Sequence, residues 1–145
     1  MKSSMSTFDL DEFLPYRLAV LSRSINEDFA RIYGKTFDLT QAEWRVIAHL
    51  SQQEKVSIRE IHQRVDMGKP KVTRAAQRLE AAGLVAKNTH PVDKRLVELS
   101  LTSKGKRLMA KIAPMARKYQ ASVLDKLPAD QRAALDQALD TLTGQ

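Results

Sequence analysis

The chain has 145 residues, 43% of them apolar, enough for one compact domain with a real core and too few for most multi-domain enzymes. Twenty-four Lys and Arg against seventeen Asp and Glu give a net charge of +7, a surplus suited to a polyanionic partner, either nucleic acid or an anionic membrane surface. The sequence contains no cysteine, which excludes disulfides, thiolate metal sites, cysteine nucleophiles and thiol redox sensing together and makes a cytoplasmic protein the expectation.

Leu14, Leu18, Leu21, Ile25, Phe29 and Ile32 recur in steps of three and four. They predict a long first helix with one apolar stripe, ended by Gly34. Thr40-Gln41-Ala42-Glu43 is a capping box for the next helix, whose buried stripe is expected at Trp44, Ile47 and Leu50. A second box, Ser57-Ile58-Arg59-Glu60, opens a short helix with Ile58, Ile61 and Val65 facing inward. A third helix is expected from Lys69 to Ala82, stopped by Gly83. Beyond Gly83 the period falls to two, so Leu84 to Thr89 and Val97-Leu99-Leu101 read as two strands of a hairpin with residues 90–95 at its tip. Thr102 caps a long helix carrying Leu108, Ile112, Met115, Tyr119 and Val123, with a kink expected at Pro114. A last helix begins near Pro128 and shows Leu135, Leu139 and Leu142. The fold class is mainly α with a small β-hairpin wing, an α+β arrangement.

Residues 40–101 can close a small core by themselves. The apolar stripes on residues 8–39 and 102–145 then need another surface; a second copy of the chain supplies it, which makes a homodimer the expected assembly with helical dimerisation regions at both ends, with an intramolecular helical cap as the alternative.

The charge is not spread evenly. Residues 1–39 carry five cations against six anions, residues 40–105 twelve against seven, and residues 106–145 seven against four. Within the middle segment, Lys69, Lys71, Arg74 and Arg78 fall in one stretch without an acidic residue. On a helical wheel Ala75, Ala76 and Leu79 lie within about 60° of Val72, and the four form the buried face. Pro70, Thr73, Arg74, Gln77 and Arg78 occupy the far arc, the mixture of cationic forks and hydrogen-bonding side chains that grips phosphates and reads base edges in a major groove. Arg74 or Arg78 can address guanine and Gln77 adenine. Pro70 stiffens the helix entry beside Lys69 and Lys71. At the hairpin tip, Asp93 can orient the guanidinium of Arg95 while Lys94 lies free, an arrangement suited to a minor groove; an ordinary surface ion pair is the other reading. His90 lies near enough to contact a phosphate.

Val72-Thr73-Arg74, then Arg78-Leu79-Glu80-Ala81-Ala82-Gly83-Leu84-Val85, Asp93-Lys94-Arg95 and Leu99-Ser100-Leu101-Thr102-Ser103-Lys104-Gly105 occur in an order and spacing that resembles the MarR family of bacterial transcription regulators. The resemblance covers nearly the whole chain. It implies a winged helix-turn-helix homodimer on a pseudo-palindromic operator in double-stranded DNA, usually a repressor and often released by a small molecule. It also implies that residues 69–78 form the recognition helix, that Arg95 is the minor-groove arginine, and that the first and last two helices build the dimer. The peroxide-sensing members need a cysteine that this chain lacks. The zinc-responsive members need a ligand cluster, whereas His49, His62 and His90 show no i,i+4 pairing, so no metal and no cofactor are expected.

Enzyme chemistry finds no support. The five glycines are isolated, leaving no P-loop or dinucleotide fingerprint, and there is no nucleophile elbow. No run reaches the length of a membrane span and the start of the chain lacks a signal-peptide core, so a soluble protein with no membrane contact is expected. Tyr16 and Arg17 on the first helix, with Trp44 and His49 on the second, are the candidate group for an aromatic or acidic effector. The alternative to a sequence-specific regulator is a winged-helix module that coats DNA without sequence preference or holds an acidic protein.

Overall fold

The computed structural model describes residues 7–65, 67–89, 91–93 and 97–144. A 3-10 turn at Leu10–Glu12, capped by the Asp9 carboxylate, leads into α1 (Leu14–Thr36). Then follow α2 (Gln41–Leu50), β1 (Val56–Ser57), α3 (Ile58–Arg64), α4 (Lys69–Ala81), β2 (Val85–Thr89), β3 (Val97–Leu101), α5 (Ser103–Leu124) and α6 (Ala129–Thr143). The wing is a three-stranded antiparallel sheet ordered β1-β3-β2. Val85 faces Leu101 and Thr89 faces Val97, as the hairpin requires, while Val56 pairs with Leu99. The sequence reading has two strands because β1 is only two residues long and shows no period.

Two apolar clusters divide the molecule. The larger one, inside the winged unit, joins Val46, Ile47 and Leu50 of α2 to Ile61 of α3, to Val72, Ala75, Ala76 and Leu79 of α4, and to Val56, Val85 and Leu99 of the sheet. The smaller one holds Phe29 and Tyr33 of α1 against Ile112 of α5, with Trp44 and Tyr119 packed around them. Trp44 therefore serves the second cluster and Val46 takes its expected place in the first. Phe29 meets Trp44 edge-on at 5.4 Å between ring centroids and stacks on Tyr119 at 5.5 Å.

Helix α1 does not stop at Gly34. The ladder continues through Thr36, with Phe37 N–H donating to the Tyr33 carbonyl at 2.8 Å. Tyr33 is 1% exposed, and this anchoring of the last turns outweighs the roughly 1 kcal/mol penalty of a helical glycine. The Thr40–Glu43 box forms in full. At α3 the Glu60 N–H donates to Ser57 Oγ at 3.2 Å, while the Glu60 carboxylate accepts from the Ser57 hydroxyl at 3.5 Å. Pro114 lies inside α5, which runs unbroken from Ser103 to Leu124. Apolar side chains toward the ends remain uncovered: Leu14, Leu18 and Leu21 on α1 and Leu135, Leu139 and Leu142 on α6 are each at least 40% exposed.

Candidate nucleic-acid interface

Helix α4 is held rigidly from within. Val72, Ala75, Ala76 and Leu79 are at most 1% exposed, and four such side chains spaced over two turns fix the helix's rotation about its own axis. Its entry is fixed by the connection from α3, where the His62 ring donates from Nδ1 to the Met67 carbonyl at 3.1 Å and Arg45 donates to the Val65 carbonyl at 3.5 Å. Its exit is a Schellman turn: Gly83 adopts φ +76°, Leu84 N–H donates to the Leu79 carbonyl at 2.9 Å, and Gly83 N–H to the Glu80 carbonyl at 2.9 Å. That turn is clamped to α5 by Lys104 Nζ, which donates to the Ala82 carbonyl at 2.7 Å, and by the Thr102 hydroxyl, which donates to the Gly83 carbonyl at 2.6 Å.

With rotation fixed, the opposite arc points outward. Lys69, Pro70, Lys71, Arg74, Gln77 and Arg78 are exposed and Thr73 is half-buried. The first turn carries no acid. Glu80 faces Lys87 of β2 at 3.9 Å, away from the cationic arc. Beside the arc, the start of α2 and α4 enclose a cavity of about 260 Å³ walled by Thr40, Gln41, Lys71, Arg74 and Arg78. Arg78 Nη1 lies 3.8 Å from the carboxylate of Glu43, whose side chain is 8% exposed. On the wing, Asp93 is half-buried beyond β2. Lys94, Arg95 and His90 lie outside the described residues.

The four residues expected to hold an effector do not converge within one chain. Tyr16 and Arg17 are exposed on the first turns of α1. Phe29, the partner of Trp44, is thirteen residues further along that helix, or roughly 20 Å at 1.5 Å per residue. Trp44 and His49 are five residues apart on α2, so they project about 140° apart. His49 turns instead toward α3. Burial pushes its ring below the ordinary imidazole range, Arg64 adds to the effect and Glu60 opposes it. Its Nε2, like the Tyr33 hydroxyl, is buried with no hydrogen-bond partner among the described residues. Burial raises Tyr33 above the usual phenol range, with Arg45 opposing and Glu43 reinforcing. None of the four lines the two cavities flanking α5. One, about 670 Å³, has Leu50, Gln53, Lys55, Leu101, Lys106 and Met109 in its walls. The other, about 290 Å³, combines Phe37, Leu39 and Leu84 with Lys104, Arg107 and Lys111.

Sequence reasoning missed the contacts that hold α4 in place. Glu43 reads from sequence as a helix cap only, since its partner Arg78 is thirty-five residues away. His62 and Lys104 carry no local signal for their carbonyl partners.

Three helices closed by an antiparallel wing, with the third presenting a cationic arc to solvent, define a winged helix-turn-helix. Residues 37–96 match the family model of the MarR family. The chain is 26% identical over 127 residues to the HTH-type transcriptional regulator SarZ of Staphylococcus aureus, covering 88% of this chain and 82% of that protein. Among solved structures, the transcriptional repressor CouR bound to a 23-mer DNA duplex is 27% identical at a TM-score of 0.79, over 97% of this chain and 99% of that one. BpsR of Bordetella bronchiseptica, whose DNA binding is regulated by 6-hydroxynicotinic acid, is 25% identical at 0.73, over 88% and 98%. Over residues 37–96 the chain thus matches the MarR family, and its likenesses are to winged-helix, DNA-binding transcription regulators. Among the described residues no helix is long and apolar enough to cross a membrane.

Proposed function

We propose that the protein is a repressor whose homodimer reads a pseudo-palindromic operator through α4. The observation that carries this reading is the division of α4 into a fully buried apolar face and an exposed arc of Lys69, Lys71, Arg74, Gln77 and Arg78. Lys69, Pro70 and Lys71 set the helix entry against a phosphate, Thr73, Arg74, Gln77 and Arg78 face the major groove, and Lys94 with Arg95, oriented by Asp93, reaches the minor groove. The likeness to CouR, a repressor bound to DNA, supports the repressor assignment.

Residues 40–101 form the DNA-binding unit, while 8–39 and 102–145 form the dimerisation region. Exposed Leu14, Leu18 and Leu21 and exposed Leu135, Leu139 and Leu142 are the surface a second copy would cover. Release by a small aromatic or acidic ligand completes the proposal, by analogy with BpsR. Tyr16 and Arg17 take part in such a site only by reaching across to the other protomer. The activity is not enzymatic.

The test compares two variants on a duplex selected by the wild-type chain and on its scrambled counterpart. Arg74→Ala should lower affinity for the selected duplex by about 1–3 kcal/mol and spare the scrambled one, whereas Lys69→Ala should weaken both alike. Equal losses for both variants on both duplexes would assign the protein to sequence-independent DNA coating.

A further inference from the structure

The Glu43 carboxylate serves two elements at once. Its Oε2 accepts from the Thr40 N–H at 3.3 Å, closing the cap of α2, while Oε1 lies 3.8 Å from Arg78 Nη1 on α4. The Glu43 side chain is 8% exposed and that of Arg78 57%. One end of the pair is thus buried and pinned by a helix cap, and the other reaches solvent from a fixed base. A pair between two solvated side chains would constrain neither; a pinned carboxylate restricts the guanidinium that approaches it. Arg78 also shares the α2–α4 cavity wall with Lys71 and Arg74, so its orientation decides whether that groove presents a mobile or a fixed cation.

We infer that Glu43 is a positioning residue for DNA recognition, holding Arg78 in one orientation at the α2–α4 groove and offsetting its charge so that Arg78 favours selected sequence over indiscriminate phosphate binding. The inference rests on the DNA-reading proposal above. It adds a specificity role to a residue that otherwise only caps a helix.

Glu43→Gln removes the charge and keeps a side chain that capping boxes use. Binding of this variant is measured across a salt titration on the duplex selected by the wild-type chain and on its scrambled counterpart. The scrambled duplex should be bound about threefold more tightly at low salt, with the log–log salt slope steeper by about 0.9 per protomer, and discrimination should fall. In an Arg78→Gln background the same substitution should change neither quantity. Equal changes on both duplexes, no change, or an effect that survives Arg78→Gln would overturn the inference. A wild-type chain that selects no duplex would instead defeat the underlying DNA reading. Should Glu43→Gln not fold, Arg78→Gln decides on the same two duplexes: it should lose affinity for the selected duplex and largely spare the scrambled one, and equal losses on both overturn the inference.

Discussion

Gly105 sits at the third position of α5, where an alanine would ordinarily be welcome. Helix propensity alone predicts that Gly105→Ala stabilises by about 0.5–1 kcal/mol. Packing predicts the reverse. A Cβ at this position would overlap the Leu84 carbonyl oxygen and approach Leu101 Cδ2 to 3.1 Å. The obstacle is backbone, so no rotamer change relieves it. That carbonyl also accepts from Thr102 N–H at 3.1 Å, and Thr102 Oγ1 accepts in turn from Gly105 N–H at 3.1 Å. Parting the two segments costs about 1–3 kcal/mol for the forced displacement and about 1 kcal/mol for the strained hydrogen bond. After the propensity gain, a net loss of about 1–3 kcal/mol remains. At about 4 °C per kcal/mol for a chain of this size, the melting midpoint should fall by about 4–12 °C. Circular dichroism melts and urea titrations of the two proteins measure this directly. A variant as stable as the parent, or more so, would refute the packing argument.

Lys71→Ala should flatten the salt dependence of DNA binding by about 1.8 in log–log slope for a dimer losing two phosphate contacts, or about twelvefold in relative affinity over a fourfold salt change; an unchanged slope would remove Lys71 from the backbone contacts. His49 is held below its ordinary range by burial, so its native form stays neutral while the unfolded form protonates. Its contribution to stability is complete above the unfolded value of about 6.5 and is lost as pH falls below it. Urea midpoints should therefore decline from neutral toward pH 5, and His49→Gln should lessen the decline; an identical decline in the variant would exclude His49 as its source. Leu18→Glu places a charge on an apolar surface that is 46% exposed in the single chain. It should shift sedimentation toward monomer and weaken DNA binding, and a variant that stays dimeric would move the interface off this face of α1.

The face of α4 was legible because its burial has a helical period and its cations stand in one acid-free stretch. The same period located the stripe of α5, whereas on α1 only Phe29 of the expected stripe is buried and Tyr33 takes the place expected for Ile32; the Thr40, Ser57 and Thr102 caps marked three helix starts to the residue. What escaped was non-local. Strand β1 exists only because Val56 finds Leu99. Helix α1 passes Gly34 because Tyr33 is locked among Phe29 and Trp44. Trp44 changed clusters because α2 has two apolar neighbours and the spacing of one helix cannot say which side chain serves which. The effector group failed to converge for the same reason: Tyr16, Arg17, Trp44 and His49 were joined by residue type, and distance along α1 separates them.

Selection of a sequence by α4 and the wing of a dimer separates this protein from a module that merely coats DNA. Footprinting the wild-type chain on DNA in the presence of excess random duplex tests it most directly. A protected segment with two half-sites related by two-fold symmetry, centred roughly one helical turn, about 10 bp, apart is expected. Protection that vanishes under the competitor would contradict it.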